Sequence, residues 1–150
     1  MKFKKILLTI VGVTSLNGSF SFAADHPAII FDPALLTSYD LEHDILGNVN
    51  YAENNTQISL SGNIWKQYPL DIEITSNTVL KFEFKSDNEG EIHGIGFDIT
   101  NAKSNARTNF QLYGSQTNWG FQATHNYQYV NEWVSYEIPI GQFFRGTFNG

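Results

Sequence analysis

Aromatic rings and amide groups are concentrated in residues 111–129 of this sequence. Flat rings can stack on the C–H faces of a sugar, and amides and tyrosine hydroxyls can hydrogen-bond to its hydroxyl groups. Tyr127 and Tyr129 alternate with polar residues, which favours their exposure to solvent, whereas a place in the hydrophobic core is the alternative for Trp119. The candidate carbohydrate-binding residues are Gln111, Tyr113, Gln116, Trp119, Tyr127 and Tyr129.

Carboxylates are concentrated in two other segments, and oxygen atoms of this kind are the ligands that Ca²⁺ prefers. Asp87, Glu89 and Glu91 lie in one predicted turn, and a second group comprises Asp40, Glu42 and Asp44. Neither group has the spacing of a known calcium loop, and aspartate also favours turns for conformational reasons. The metal site that we predict is a structural calcium ion held by Asp87, Glu89 and Glu91.

Catalytic signatures are weak in this sequence. A glycosidase needs two carboxylates facing each other across a cleft, and Glu83, Glu91 and Asp98 are the nearest candidates on predicted neighbouring strands. His93 shares a predicted strand face with apolar residues, which is typical of a core histidine. The chain has no cysteine and no G-x-S-x-G motif that would present a serine nucleophile. We therefore predict that the protein is not an enzyme.

Strands must position these side chains. Residues 79–85 alternate strictly between apolar and charged side chains, and a polar turn follows at residues 86–90, which predicts a half-buried strand. Further strands are predicted at residues 91–99 and 108–113, with Gln111 and Tyr113 on the outer face of the latter. The remaining predicted elements are a first strand at 39–46, a polar turn at 47–56, a strand at 57–61, an edge strand at 64–70, a connection at 71–78 and a last strand at 134–140. This pattern predicts an all-β, antiparallel fold, arranged as a β-sandwich or jelly roll.

The first 23 residues have the pattern of a signal peptide. A lysine-rich start precedes a short apolar run, and small residues before Ala24 predict cleavage after Ala23. The apolar run is too short to span a bilayer, so we expect no membrane insertion and a secreted or periplasmic protein. Residues 24–38 then form an N-terminal extension or first strand, and residues 39–150 form one β-sandwich domain.

The excess of acidic residues limits the classes of partner that the protein is expected to bind. The chain carries 9 basic and 15 acidic residues, and three of the lysines lie in the predicted leader. An acidic surface of this kind argues against nucleic acid and suits neutral sugars or cations. The absence of cysteine means that no disulfide stabilises the exported domain.

Six ordered blocks carry a resemblance to a known family. The blocks are LSGNIWK at 60–66, ITSNTVLKF at 74–82, GEIHGIGFD at 90–98, FQLYGSQ at 110–116, WG at 119–120 and IPIG at 138–141. Together they resemble a jelly-roll, carbohydrate-binding-like module of secreted bacterial polysaccharide-degrading enzymes and other extracellular proteins. The resemblance covers residues 39–150 and implies non-catalytic polysaccharide binding.

The C-terminal end departs from that family. Its members continue past the segment that matches residues 144–148 with strands that close the sandwich, and this sequence stops there. The domain would then lack its last strands, or a protein partner would donate one. The alternative function is therefore a structural or adhesive interaction domain with an open C-terminal sheet edge, and a small polysaccharide lyase or glycosidase is the third.

Overall fold

The structure of the chain is a computed structural model, which describes residues 1–10, 24–25, 28–98, 108–128, 131–144 and 146–149. Regular structure in these residues is almost all strand, with two short 3-10 turns at Gln122–Thr124 and Ile140–Gln142. The strands are β1 (Lys2–Ile10), β2 (Ala24–Asp25), β3 (Thr37–Ser38), β4 (Leu46–Ala52), β5 (Gln57–Asn63), β6 (Lys66–Gln67), β7 (Asp71–Ile74), β8 (Thr78–Lys85), β9 (His93–Gly96), β10 (Asn109–Tyr113), β11 (Val134–Ile138) and β12 (Gly146–Asn149).

The strands form one large sheet and three strand pairs. The large sheet has the order β11–β8–β1–β5–β4, and β2 pairs with β1 beside this path. The pairs are β9 with β10, β7 with β12, and β3 with β6. Every pairing between these strands is antiparallel, so the prediction of an all-β, antiparallel fold is confirmed.

Strand β8 supplies the centre of the hydrophobic core. Its residues alternate between buried and half-buried as the sequence predicts, with Leu80, Phe82 and Phe84 buried. The ring of Phe84 contacts that of Tyr127 at 4.9 Å and that of His93, in β9, at 6.2 Å. The large sheet and the β9–β10 pair therefore share one core, since apolar rings from both are removed from water together.

Two glycines in β9 have a steric explanation. A Cβ atom on Gly94 would lie 2.8 Å from the carbonyl oxygen of Phe110 in β10, and Gly96 faces the same neighbouring backbone. The two glycines therefore permit the close approach of β10. The strand is shorter than the predicted 91–99, and residue 99 lies outside the described residues.

The hairpin of β4 and β5 corrects the prediction of a long polar turn at 47–56. Strand β4 occupies residues 46–52 and pairs with β5 from Leu46↔Asn63 to Ala52↔Gln57. The turn itself contains Glu53, Asn54 and Asn55, which all have a positive φ of 51–64°. The polar sequence was misleading because most of β4 is exposed, so its residues are polar without being a turn.

Four other predicted elements have wrong boundaries. Residues 39–45, predicted as part of a strand at 39–46, contain a turn instead: Asp40 has a φ of 54°, and its carbonyl accepts a hydrogen bond from the backbone N–H of His43 at 2.9 Å. The edge strand predicted at 64–70 is reduced to β6, which pairs with β3, and the connection predicted at 71–78 contains β7. The last predicted strand ends at Ile138, where Pro139 leads into a 3-10 turn.

Strand β1 lies inside the segment that the sequence predicts to be a leader. In the full chain it pairs with β8 from Lys2↔Lys85 to Ile10↔Thr78, and with β5 over Lys2–Lys4. Removal of residues 1–23, as predicted, would take this strand out of the sheet. The cleavage site itself lies outside the described residues.

The C-terminal strand β12 has a partner. It pairs with β7 from Gly146↔Ile74 to Asn149↔Asp71, so one of its edges is covered. The use of its other edge by a second protein stays a prediction. Within the ranges described above, no helix has the length and apolar character needed to cross a membrane.

Candidate functional site

A groove of about 800 Å³ lies between the β4–β5 hairpin and the loops around β9 and β10. Four of the predicted site residues line it, the carbohydrate candidates Gln116 and Trp119 and the metal candidates Asp87 and Glu91. The other polar or aromatic lining residues are His43, Asn50, Ser59, Ser61, Asn63, Trp65, Ser86, Asn88 and His93. The groove thus combines hydroxyl, amide, carboxylate and aromatic groups, the set that sugar recognition requires.

Two tryptophans meet in the wall of this groove. The rings of Trp65 and Trp119 are 5.2 Å apart and nearly perpendicular, and both side chains are partly exposed. Tyr39 stacks on the other side of Trp65 at 6.2 Å, and its hydroxyl donates to Asp98 at 2.6 Å. Nothing in the sequence pattern singles out Trp65 as a site residue. The structure brings it to the same site as Trp119.

Asp44 fixes the position of Trp65. Its Oδ1 accepts the backbone N–H of Trp65 at 3.2 Å, and its Oδ2 accepts Lys66 Nζ at 2.6 Å and the hydroxyl of Ser38. Burial opposes ionisation, but the hydrogen bonds from Lys66, Ser38 and Trp65 outweigh it and lower the pKa of this carboxyl. The Asp44 carboxylate is therefore ionised, and it holds the backbone of Trp65 in position.

Gln111 holds the loop that carries Trp119. Its side chain is 0% exposed, so the prediction that it faces a ligand is wrong. Its Nε2 donates to the carbonyl of Gln116 at 2.7 Å, and its Oε1 accepts Gln122 Nε2 at 2.7 Å. The Gln122 amide also donates to the carbonyl of Trp119. A buried amide thus satisfies loop groups that would otherwise lack partners.

The predicted tyrosines Tyr113 and Tyr127 do not line the groove. Tyr127 is 4% exposed, which corrects its predicted exposure. Its hydroxyl donates to the carbonyl of Glu132 at 2.9 Å and accepts the backbone N–H of Ser86 at 3.2 Å. Tyr113 is half-buried and packs edge-on against Tyr127 at 5.1 Å. Tyr129 lies outside the described residues.

The predicted calcium ligands are not brought together. Asp87, Glu89 and Glu91 are all exposed, and their carboxylates do not form a close group. Among the residues that the structure describes, the close group is instead Asp40, Glu42 and His43, whose ligand atoms lie within 4.8 Å of one another. The His43 Nδ1 and an Asp40 oxygen are 3.0 Å apart, an ion pair when the histidine is protonated. Calcium binding stays a prediction.

A second cavity, of about 420 Å³, adjoins the tryptophan pair on the core side. Trp65 and Trp119 line both spaces, but the lining of the second is mostly aliphatic, including Ile29, Leu36, Ile58, Leu70 and Ile72. Apolar walls satisfy few of the hydroxyl groups of a sugar, although Thr37, Gln67, Asp98 and Asn109 also line this cavity. The polar groove is therefore the better candidate site.

His93 is a half-buried titratable group in the lining of the groove. Burial lowers the pKa of its imidazole to about 4, and the positive amino group of Met1 acts in the same direction. Its Nδ1 has no hydrogen-bond partner within the described part of the chain. The ring is therefore neutral at physiological pH, and Gly90 leaves room for it, because a Cβ there would lie 2.6 Å from Nε2.

Acidification is expected to destabilise the protein through His93. Between pH 6.5 and about 4 the unfolded chain binds a proton that the folded chain excludes, so the free energy of unfolding falls as the pH is lowered through this window. After allowance for partial exposure of the ring, we expect a loss of about 1–2 kcal/mol between about pH 7 and about pH 5. Urea titrations of the wild type and of His93→Gln measure it. An equal pH dependence in both proteins would contradict this assignment.

Comparisons with known proteins returned no match: no protein-family profile, no curated protein and no solved structure is significantly similar to this chain.

Proposed function

We propose that this chain is an exported β-sandwich domain of the jelly-roll type that binds a polysaccharide, without cleaving it, in the polar groove beside Trp65 and Trp119. The observation that carries the proposal is the pair of partly exposed indole rings in a groove whose lining also includes hydroxyl, amide and carboxylate groups. Indole rings stack on sugar faces, while amides and hydroxyls bond the sugar hydroxyls around them.

The polar lining suits a neutral or cationic sugar. Asn50 and Asn63 come from one side of the groove and Gln116 from the other, so amides are available on both sides of a bound chain. Asp87 and Glu91 add negative charge on the Gln116 side, and the backbone N–H of Gln116 donates to the carbonyl of Glu91 at 3.0 Å. A polyanionic glycan would meet repulsion from these carboxylates.

The exposed positions of the acidic groups in the groove are consistent with binding of a polysaccharide without its cleavage. A glycosidase relies on a buried carboxylic acid beside a second carboxylate. Asp87 and Glu91 are both exposed. A calcium ion, if the domain holds one, then has a structural role rather than a catalytic one.

A glycan array with the purified full chain tests the proposal, run once with calcium and once with a chelator. We expect binding to a defined polysaccharide, and Trp119→Ala and Trp65→Ala should each weaken it by at least about tenfold, since each removes a stacking ring. A melting curve in both buffers shows separately whether calcium stabilises the fold.

Trp133→Ala is the matched control, because Trp133 does not line the groove and its ring instead contacts Lys85 Nζ at 5.2 Å. This variant should retain wild-type binding, and circular dichroism should show all three variants folded. No glycan binding by the folded wild type, or equal losses in the three variants, would refute the proposal.

A further inference from the structure

Among the strands that the structure describes, β1 alone links the two halves of the large sheet. On one side of it β8 pairs with β11, and on the other side β5 pairs with β4. No pairing joins β5 to β8 directly within the described residues, because β1 lies between them and is antiparallel to both. The strand position between β5 and β8 is therefore central.

Leader cleavage after Ala23 would remove the whole of β1. Strands β5 and β8 would then be separated by two strand spacings, about 9–10 Å, which is too far for direct hydrogen bonds. The β8 edge that faced β1 would lose its partners along eight residues of strand, and this edge borders the core residues Leu80, Phe82 and Phe84. Buried backbone groups without partners are costly, so the mature domain needs another strand in this position.

Other described segments of the chain cannot supply that strand. The segment that follows the cleavage site contains Pro27, which cannot donate to a central ladder. It is also held in place a few residues later, because Phe31 is buried and its backbone N–H donates to the carbonyl of Asn55 at 2.9 Å. Strand β12 is engaged with β7.

We propose that the position between β5 and β8 in the mature domain accepts an extended strand from another polypeptide. The donated strand runs antiparallel to β8 and places apolar side chains opposite Leu80, Phe82 and Phe84, with polar ones between them. This proposal uses a different part of the molecule from the C-terminal edge and does not depend on glycan binding.

The register of β1 indicates the sequence that fits best. Phe3 is opposite Phe84, and Leu8 is opposite Leu80, but a bulge between Lys4 and Leu7 interrupts the pairing. Strand β8 alternates without interruption, so the irregularity belongs to β1. A segment with regular alternation would pair along the whole of β8 without a bulge. Omission of Lys5 from the β1 sequence removes the extra residue of the bulge and places Phe3, Ile6 and Leu8 opposite the three buried residues, while Leu7 remains opposite Lys81.

The experiment uses the full chain with a specific protease site inserted between Ala23 and Ala24. After cleavage, a fluorescent peptide with the sequence of Lys2–Ile10 is added, and its uptake is followed by anisotropy and by the melting temperature of the domain. We expect saturable uptake in exchange for the resident leader fragment. The peptide lacking Lys5 should bind more tightly, and the peptide with Phe3→Asp and Leu8→Asp should bind at least about tenfold more weakly.

Three results would overturn the proposal. The first is a cleaved domain that releases its leader fragment, keeps its melting temperature and takes up no peptide, since β5 and β8 must then have closed on each other. The second is equally tight binding of the peptide with Phe3→Asp and Leu8→Asp, which would show that apolar side chains opposite Leu80 and Phe84 do not determine which strand is accepted. The third is a cleaved domain that unfolds and is not restored by any of the peptides.

Discussion

Replacement of Asp44 by alanine is expected to lower the free energy of unfolding by about 3 kcal/mol and to weaken glycan binding at least about tenfold. The Asp44 side chain is 4% exposed and that of its partner Lys66 is 21% exposed, so the substitution leaves a half-buried lysine without its counter-charge. It also removes the acceptor of the Trp65 backbone N–H, which positions one of the two rings in the groove. Urea denaturation and the glycan array measure the two effects.

Two variants control for this prediction. Asp44→Asn keeps an oxygen for the Trp65 N–H but loses the charge, so it should cost less stability than alanine. Glu137→Ala breaks an exposed ion pair with Lys81, whose side chains are 67% and 38% exposed, and should cost less than about 1 kcal/mol. A loss in Asp44→Ala as small as that in Glu137→Ala would contradict the anchoring role.

Replacement of Gln111 by leucine is expected to lower the free energy of unfolding by about 2 kcal/mol. Leucine has a similar volume but cannot donate to the carbonyl of Gln116 or accept from the amide of Gln122, and a buried carbonyl left without a donor is costly. Since the same network holds the backbone of Trp119, we also expect weaker glycan binding and a shift in tryptophan fluorescence. Urea denaturation and emission spectra measure these changes.

The Gln122→Ala variant tests the contribution of the Gln122 amide separately from that of Gln111. Gln122 is exposed, so its loss removes hydrogen bonds to Gln111 and Trp119 without making a buried cavity. It should alter the fluorescence of Trp119 while costing less stability than Gln111→Leu. Unchanged fluorescence in both variants would show that the amides do not position the loop.

Strands in which buried and more exposed residues alternate regularly were predictable from the sequence. Strand β8 is the best example, because its alternation directly records which residues face the core. The same logic failed for β10, where Phe110, Gln111 and Leu112 are all buried in succession. Gln111 is covered because a loop from later in the chain crosses it, and a contact of this kind leaves no periodic signal in the strand itself.

The candidate site was predictable only in part. Trp119 and Gln116 were identified by residue type, and the structure places both in the groove. Tyr127 was misassigned because its neighbours are polar, yet its hydroxyl is satisfied by backbone groups of Ser86 and Glu132 that come close only in the folded chain. Trp65 was missed because its exposure depends on the turn that brings Asp44 beneath it.

The central position of β1 also bears on the order of events during synthesis. Phe3 pairs with Phe84, so the sheet cannot close around the leader until the ribosome has released the whole of β8. Strand pairs so distant in sequence form slowly. If residues 1–23 are a leader, as the sequence predicts, they are accessible early in synthesis and become part of the sheet once the complete precursor has folded. Comparison of cleavage after Ala23 in nascent and refolded precursor would measure the length of this interval.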